Sequence, residues 1–411
     1  MKRVVVIGAG AAGCFCALQI KRSRPDIAVT ILEAGPGPLA KLALTGGGRC
    51  NITNDFSLAP LSASIYPRGH RLISRLFHTF GPADAYSWWE SEGLPLTVED
   101  SGRVFPACQD ARRVVSLLSS ALDNAGVEIR CGVKTNSLRS AGGRWVLETV
   151  SGRTQECDAV VLACGGTSDQ VLRRLLPAEV EVEDTVPSLF TFRIADEGLK
   201  SLMGISVPDA ALGIQGTSFK ADGELLITDW GLSGPAVLRL SSYAARYLSG
   251  SQYRCGLSVN WLGWSESEAR SFIDAAVRDS AARMVSNVSP GGIPSRLWEY
   301  LLGKAGLRQG IRWGELGSRG AARLVAVLTG TELRVEGRAA FKEEFVTCGG
   351  VSLSCVDPGS MMARDCPGLF FAGEVLDIDA VTGGYNLQAA WTTGWCAATG
   401  VVKYLSGTID K

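Results

Sequence analysis

The chain has 411 residues, of which 46% are hydrophobic and 20% are charged, which is the composition of a globular protein. It is too long for one ordinary hydrophobic core, so two or three domains are expected. Lysine plus arginine and aspartate plus glutamate are equal at 41 each, which argues against nucleic acid and anionic membranes as partners.

The beginning of the chain predicts a strand rather than a signal peptide, and no stretch reaches the roughly 18 apolar residues of a membrane helix. The twelve cysteines are scattered without a C-x-x-C pair, and the only histidines are His70 and His78. These features argue against a zinc site and against a redox dithiol. We expect a cytoplasmic protein with reduced thiols and no bound metal.

The N-terminal region predicts a βαβ unit with a phosphate-binding turn. Residues 3–7 (RVVVI) have the composition of a central parallel strand that is buried on both faces. They lead into GAGAAG at residues 8–13, which fits G-x-G-x-x-G in its required place between a strand and a helix. Residues 27–32 predict the second strand, which ends at Glu33.

Each residue of this turn has an expected role. Gly8 permits the tight turn, Gly10 lets the backbone approach a pyrophosphate, and Gly13 allows the helix to pack closely on the strand. The helix N-terminus adds N–H groups and partial positive charge for the phosphates. Glu33 is placed to accept hydrogen bonds from ribose hydroxyls and would repel the 2′-phosphate of NADP. A chance glycine turn is the alternative interpretation.

The following segments predict a mixed α/β domain. A glycine-rich stretch, KLALTGGGRCNITN, occupies residues 41–54, and helices are predicted over residues 70–93 and 110–126. Residues 127–167 change to short alternating strands and end in a buried strand followed by ACGGTS. Both glycine stretches allow the backbone to approach a cofactor, although a flexible surface loop is the alternative for the first.

An insertion interrupts this domain at about residues 187–343. Its first part, residues 187–262, is β-rich with glycine turns, whereas residues 265–303 and 316–328 are predicted to be helical. Strand character resumes near Phe345, where we expect the nucleotide-binding domain to continue.

The second half of the nucleotide site is predicted at residues 368–390. The sequence GLFFAGEVLDIDAVTGGYNLQAA predicts a short apolar strand, a glycine turn and the start of a helix. Glu374 can accept from ribityl hydroxyls, and the helix N-terminus can stabilise negative charge at the flavin N1–O2 edge. Closure at Gly384 of a site that begins at Gly8 indicates FAD rather than NAD alone. An ordinary core helix behind a glycine hinge is the alternative.

Five segments occur in a characteristic order: LTGGGRCNITN, EDSGRVFP, GELLITDWGLSGPAVLRLS, EEFVTCGGVSL and GLFFAGEVLDIDAVTGGYNLQAAW. Together they resemble the aminoacetone-oxidase-like, bile-acid-reductase-like family of NAD(P)/FAD-dependent oxidoreductases over almost the entire chain. The resemblance implies an α/β fold, namely a discontinuous glutathione-reductase-type FAD-binding domain of Rossmann-like architecture. It also implies an inserted β-barrel with a small helical subdomain. The implied ranges are 1–186 and 344–411 for the FAD domain, 187–262 and 329–343 for the barrel, and 263–328 for the helices.

The motifs and the resemblance together predict the residues that contact FAD. Val133, assigned to the adenine, is the least supported of them. The set is Gly8, Gly10, Ala11, Ala12, Gly13, Glu33, Ala34, Lys41, Gly48, Arg49, Cys50, Asn51, Val133, Cys164, Gly165, Gly373, Glu374, Gly384, Tyr385, Asn386 and Leu387.

Two segments depart from the pattern of the family that the chain resembles. Family members usually have Thr-His before GLSGP, whereas this chain has Thr228, Asp229 and Trp230. Residues 165–186 are shorter than usual and differ in sequence. Both segments are candidates for contact with the flavin ring or the substrate, so the substrate does not transfer from the family.

The acid or base of the reaction is not fixed by the sequence. Tyr385 and Asp229 are candidates for proton transfer, and Cys50 is a candidate thiol near the flavin. Each also has a structural interpretation, which we favour for Cys50 because it has no partner cysteine at redox spacing. Water is an equally suitable proton donor.

The predicted activity is hydride transfer between flavin N5 and a small organic substrate, or between flavin N5 and NADH or NADPH. The alternatives are a flavin oxidase that uses O₂ to oxidise a small amine or alcohol, a non-catalytic FAD-binding or redox-sensing protein, and a tRNA-modifying flavoprotein. The balanced charge disfavours the last of these. The absence of C-x-x-C and C-x₄-C argues against a disulfide reductase. The sequence makes no prediction about oligomeric state.

Overall fold

The computed structural model describes residues 1–57, 60–339 and 346–409. Its strands are β1 (Arg3–Ile7), β2 (Ala28–Leu32), β3 (Thr53–Asn54), β4 (Leu96–Val98), β5 (Arg103–Pro106), β6 (Glu128–Arg130), β7 (Thr135–Ala141), β8 (Arg144–Thr149), β9 (Thr154–Cys157), β10 (Ala159–Leu162), β11 (Val182–Ser188), β12 (Phe192–Ile194), β13 (Ser206–Ile214), β14 (Lys220–Ile227), β15 (Gly231–Ser233), β16 (Cys255–Asn260), β17 (Thr331–Arg338), β18 (Val346–Val351) and β19 (Leu369–Phe371). Its α-helices are α1 (Ala11–Ser23), α2 (His70–Leu76), α3 (Pro82–Ser91), α4 (Ala111–Ala125), α5 (Asp169–Leu175), α6 (Glu197–Lys200), α7 (Pro235–Tyr243), α8 (Ala245–Gly250), α9 (Glu266–Asp279), α10 (Ser295–Lys304), α11 (Gly317–Gly330) and α12 (Tyr385–Leu405).

The chain forms two compact units, one made of Met1–Val186 with Val346–Lys411 and the other of Pro187–Phe345. The predicted fold class is confirmed, because the first unit contains a parallel sheet and the second contains a closed six-stranded barrel. The predicted boundary between residues 343 and 344 lies outside the described residues.

The main sheet of the first unit has the order β19-β10-β1-β2-β6, and each neighbouring pair is parallel. The last four residues of β1 are apolar and buried, as expected of a central parallel strand. Helices α1 and α12 pack closely, since a Cβ added to Gly394 would lie 2.9 Å from the carbonyl oxygen of Ala12. Because the strands run in one direction, their carboxyl ends share one edge, where ligands bind in folds of this kind.

The second unit is built around the barrel β12-β15-β14-β13-β16-β17. Helices α9, α10 and α11 lie between β16 and β17 in the chain and share one buried apolar core with the barrel. That core includes Trp298 and Trp313, both fully buried. No helix in the described ranges is long and apolar enough to cross a membrane.

Three predicted elements differ from the structure. The single helix predicted over residues 70–93 is two helices, because Pro82 starts α3 after a break. The β-rich stretch 187–262 also contains α6, α7 and α8, of which α7 begins at Pro235. The first helix of the helical subdomain is shorter than predicted and ends at Asp279. A proline at the first helical position sets the start of α3 and of α7.

Candidate functional site

The turn between β1 and α1 combines two tightly packed glycines with one open glycine. Gly8 has a φ of +104°, and a Cβ there would lie 2.4 Å from the carbonyl oxygen of Ala163. A Cβ on Gly13 would lie 2.1 Å from the carbonyl oxygen of Gly8, so neither position accepts a side chain. A Cβ on Gly10 would meet nothing within 4 Å. The turn is therefore rigid and leaves free space where a ligand can approach the backbone.

The start of α1 is suited to bind an anion. Gly10 caps the helix without a side-chain hydrogen bond, and the first turn contains no acidic residue. The first backbone bond runs from the N–H of Cys14 to the oxygen of Gly10 at 3.0 Å, so Ala11 and Ala12 have no intrahelical acceptor. These N–H groups and the helix dipole favour a phosphate at this position.

Glu33 lies at the carboxyl end of β2 and is held in place by the backbone. Its two carboxylate oxygens accept from the N–H groups of Ala9 and Gly35 at 2.8 and 2.7 Å. A carboxylate has about four acceptor positions, so about two remain for ribose hydroxyls. The N–H of Val133 donates to the Glu33 carbonyl at 2.8 Å, and Ala34 beside it is exposed. The residues that follow β2 and the residues that follow β6 thus lie side by side at this end of the sheet.

Glu374 and the segment after β10 form the next part of the same edge. The Glu374 carboxylate accepts from the N–H groups of Gly166 and Thr347 at 3.1 and 2.9 Å. Burial raises the pKa of Glu374, and the positive charge of Lys41 opposes this rise. Burial also raises the pKa of Cys164 to about 12, so this residue remains a neutral thiol.

Two further glycines lie at this edge: Gly373 is closely packed, whereas Gly165 is open. Gly373 has a φ of +76°, and a Cβ there would lie 2.6 Å from the Cβ of Ala12. Its N–H donates to the hydroxyl of Thr393 on α12 at 2.8 Å. Gly165 also has a positive φ, +71°, and has no close neighbour apart from Glu374. The start of α1, the end of β19 and the middle of α12 are therefore in direct contact.

The glycine-rich stretch after β2 turns through three successive left-handed residues. Gly46, Gly47 and Gly48 have φ values of +58°, +66° and +85°, and Gly47 and Gly48 have open space where a Cβ would stand. Arg49 donates from Nη1 to Oε1 of Glu99 at 2.9 Å, with its guanidinium 4.1 Å from the Phe105 ring centre. Arg49, one of the residues predicted to contact FAD, is thus paired with an acid that the sequence did not connect to it.

Cys50 is fully buried and has a φ of +61°. Burial raises the pKa of its thiol to about 12, which opposes formation of a reactive thiolate and favours a packing role.

Iodoacetamide at ~pH 8 is therefore expected to alkylate the exposed Cys108 and Cys131 in the folded protein and to leave Cys50 unmodified. Peptide mass spectrometry before and after denaturation measures this. Labelling of Cys50 at the rate of Cys108 without denaturant would contradict the packing role.

The N-cap of helix α12 is Gly384, which lies against the residues that follow the second glycine region. Gly384 has a φ of +89°, and a Cβ there would lie 2.4 Å from the carbonyl oxygen of Thr53. The amide orientation of Asn51 that satisfies its neighbours accepts from the Gly384 N–H at 2.9 Å and donates to Thr53 at 3.0 Å. The hydroxyl of Thr53 also donates to the buried Gln388 at 2.5 Å.

The segment before α12 is fixed by contacts that sequence reasoning did not identify. The fully buried Asp379 forms a two-pronged ion pair with Arg68. The side-chain amide of Asn386 exchanges two hydrogen bonds with the backbone of Ala380, each 2.9 Å. Asn386 thus fixes this loop with its side chain. The GGYNLQ motif predicted that Asn386 belongs to the site, whereas no motif or residue spacing in the sequence predicted a role for Arg68.

Tyr385, the aromatic residue at the start of α12, is fixed by contacts with two other aromatic residues. The hydroxyl of Tyr66 donates to the carbonyl of Tyr385 at 2.7 Å, and the ring of Tyr385 packs edge-on against Phe56. Tyr385 is buried and Leu387, two residues on, is half-buried. The first turn of α12 therefore has a fixed position, with N–H groups that lack intrahelical acceptors.

A family model described as the HI0933-like protein Rossmann domain matches residues 2–400. The chain belongs to this family. Its fold is a Rossmann-type FAD-binding domain interrupted by a barrel, and the family is one of FAD-dependent oxidoreductases. The resemblance inferred from the five motifs is thereby confirmed.

Two curated relatives match nearly the whole chain. The 3-dehydro-bile acid delta(4,6)-reductase of Clostridium scindens is 29% identical, with 97% of this chain and 98% of the relative covered. The ribosomal RNA dihydrouridine synthase of Escherichia coli is 30% identical, with 97% of each covered. The members of this family that match the chain thus differ widely in their substrates.

Solved structures of low sequence identity share the fold. E. coli quinol fumarate reductase has a TM-score of 0.50 at 13% identity, covering 100% of this chain and 72% of that one. The 3-ketosteroid delta1-dehydrogenase of Sterolibacterium denitrificans has a TM-score of 0.50 at 11% identity, covering 98% and 100%. At such identities the likeness establishes architecture alone.

The three catalytic candidates are divided between the two units. Asp229 is exposed on the turn between β14 and β15 in the second unit, whereas Tyr385 and Cys50 belong to the first. His70 starts α2 and His78 is exposed just beyond it. No group of three metal-ligating side chains occurs in the described part of the chain.

Proposed function

We propose that this chain binds FAD along the carboxyl edge of the sheet in the first unit and uses it for oxidoreduction. The observation that carries the proposal is the open space at Gly10, in a turn whose other glycines are closely packed. The pyrophosphate is assigned to the start of α1, the adenosine ribose to Glu33 and the adenine to the surroundings of Val133.

The flavin end is assigned to the second glycine region and the start of α12. Gly47 and Gly48 leave space beside their backbone. The first N–H groups of α12, which starts beside Thr53, can stabilise negative charge on the ring. Glu374 offers acceptor oxygens, and the positive charge of Lys41 opposes the rise in its pKa that burial causes. Bound FAD supplies hydride transfer, and the chain's residues orient it, exclude water and stabilise developing charge.

The two curated relatives support a common reaction. Both names describe the addition of hydrogen to a carbon–carbon double bond, in a bile acid and in uridine. We assign this chain the reduction of a ring double bond conjugated to a carbonyl, with NADH or NADPH as electron donor. The sequence has no second strand–GxGxxG–helix segment, so the nicotinamide is expected to bind transiently without a Rossmann domain of its own.

A small unsaturated ring compound is the first candidate substrate, in keeping with the balanced charge of the chain. Uridine in RNA is the second candidate. It is favoured by the 30% identity with the E. coli ribosomal RNA enzyme over 97% of this chain. In both candidates a carbonyl withdraws electrons from the double bond and prepares it to accept hydride.

Anaerobic titration of the purified, FAD-reconstituted protein with NADH and then NADPH is expected to bleach the flavin band near ~450 nm. Addition of a cyclic dienone or a uridine-containing RNA is then expected to restore it, with two hydrogens gained by the acceptor.

Three outcomes would overturn the assignment in different ways. No flavin band after reconstitution would exclude the cofactor. A band that neither nucleotide bleaches would favour a binding or sensing protein, and rapid recovery in air with peroxide release would favour an oxidase.

A further inference from the structure

Positive charge is concentrated in one part of the second unit, although the chain as a whole is neutral. Residues 283–323 contain seven lysines and arginines and only two acidic residues, a net charge of +5. The remainder of the chain therefore has a net charge of −5. Lys304 pairs with Asp196, and Arg296 donates to the carbonyl of Ser201. The five remaining arginines are exposed and form what we term the arginine face: Arg283, Arg308, Arg312, Arg319 and Arg323.

The arginine face begins on the exposed side of α11. Arg319 and Arg323 are four residues apart on this helix and therefore project from the same side. Nη1 of Arg323 is 3.7 Å from the place of a Cβ on Gly306, two residues before Arg308. The side chains of α11 thus adjoin the loop that carries the next arginine.

Glu315 connects the next two segments of the arginine face, which carry Arg308 and Arg312. Nη2 of Arg308 is 2.7 Å from Oε2 of Glu315, and the N–H of Arg312 donates to the same oxygen at 3.2 Å. Arg312 also forms a β-bridge with Met284, which is next to Arg283. The five arginines therefore lie on adjoining segments, and Glu315 is the one carboxylate bonded to any of them among the described residues.

The scaffold under the arginine face is packed rather than loose. Trp298 and Trp313 are fully buried beneath it, and Nε1 of Trp298 donates to the carbonyl of Val285 at 2.9 Å. Leu324, next to Arg323, is also fully buried. The backbone positions that carry the exposed arginines are consequently fixed on a folded subdomain.

We infer that the arginine face binds the phosphate backbone of RNA. Each guanidinium presents a planar fork of donors that matches phosphate oxygens, which distinguishes arginine from lysine. Phosphates that bind these groups release counterions, and the net negative remainder of the chain favours docking at this face. The inference assigns a binding surface to RNA, the second candidate substrate. It rests on the proposed function only for the choice of uridine-containing RNA.

The test is the salt dependence of binding to a short fluorescein-labelled RNA hairpin with a uridine loop, measured by fluorescence anisotropy. The triple variant Arg312→Ala, Arg319→Ala, Arg323→Ala is expected to bind roughly 10- to 100-fold more weakly. Its slope of log affinity against log salt is expected to be shallower by about 2, at about 0.7 per lost contact. These three side chains have no ion pair among the described contacts, so folding should be retained, which thermal unfolding verifies.

A matched control removes the same charge elsewhere. The variant Arg113→Ala, Arg139→Ala, Arg153→Ala loses three exposed arginines of the first unit and is expected to retain the wild-type affinity and slope. Glu315→Gln, which removes the one carboxylate but keeps an acceptor for Arg312, is expected to bind the hairpin roughly 2- to 5-fold more tightly.

The inference is overturned if the wild type shows no salt-dependent RNA binding, or if both triple variants lose affinity equally. Binding of phosphatidylserine vesicles through the arginine face, without RNA binding, would assign the face to membranes instead. Repeating the measurement on protein that lacks FAD separates the two proposals, because RNA binding is expected to persist when flavin reduction fails.

Discussion

A Gly10→Val variant is expected to fold normally and to lose at least about 100-fold in FAD affinity. Gly10 has a φ of −81°, which any residue adopts, and its Cβ position has no atom within 4 Å. A valine side chain there would fill the space assigned to the pyrophosphate and separate the phosphates from the first N–H groups of α1. The measurement is FAD titration by flavin fluorescence, together with urea unfolding of the protein without FAD.

Gly13→Val is the matched counterpart. A Cβ at Gly13 would lie 2.1 Å from the Gly8 carbonyl oxygen, so the backbone must move, at a cost of about 1–3 kcal/mol or more. We expect this variant to lose stability with or without FAD, whereas Gly10→Val loses only cofactor. Unchanged FAD affinity in Gly10→Val would remove the pyrophosphate from this turn and with it the proposed placement of FAD.

Replacement of Arg68 by alanine is expected to lower the free energy of unfolding by about 3–5 kcal/mol. Asp379 is fully buried and its partner's side chain is only 12% exposed, so the change leaves a carboxylate inside the protein without its cation. The same loss should loosen the segment before α12 and weaken FAD binding. Urea unfolding and FAD titration of the one variant measure both effects.

The double variant Arg68→Met, Asp379→Leu is the control. Replacement of both charges with apolar side chains of similar size removes the uncompensated charge, so most of the lost stability should return. Recovery of stability without recovery of FAD affinity would separate the positioning role of the ion pair from its contribution to folding. A single variant as stable as the wild type would show that solvent reaches Asp379 and would contradict this account.

The parts of the site that follow local rules were predictable from the sequence. Gly8, Gly10 and Gly13 have the packing expected of them, and Glu33 lies at the end of β2, because a strand–turn–helix of this spacing determines its own geometry. The confirmed fold class had the same basis, together with the order of the five motifs along the chain.

The parts that depend on distant pairs were not predictable in this way. Arg68 meets Asp379 and Thr53 meets Gln388 across more than 300 residues, and periodicity carries no information about such contacts. Arg49 was expected at the cofactor, but its pairing with Glu99 depends on how two loops meet. The arginine face was not predicted because the positive and negative charges of the whole chain are equal in number.

The order of β19, β10 and β1 in the sheet has a consequence for the growing chain on the ribosome. Domains generally fold as they emerge, N-terminal part first. β10 lacks its neighbour β19, and the face of α1 around Ala12 and Phe15 lacks α12, until the whole second unit has been translated. Until then, the nascent first unit is expected to have one open edge on β10 and an uncovered apolar face on α1. We therefore expect FAD to bind only late in synthesis. A chain that terminates before β19 and α12 is expected to lack the colour of bound flavin.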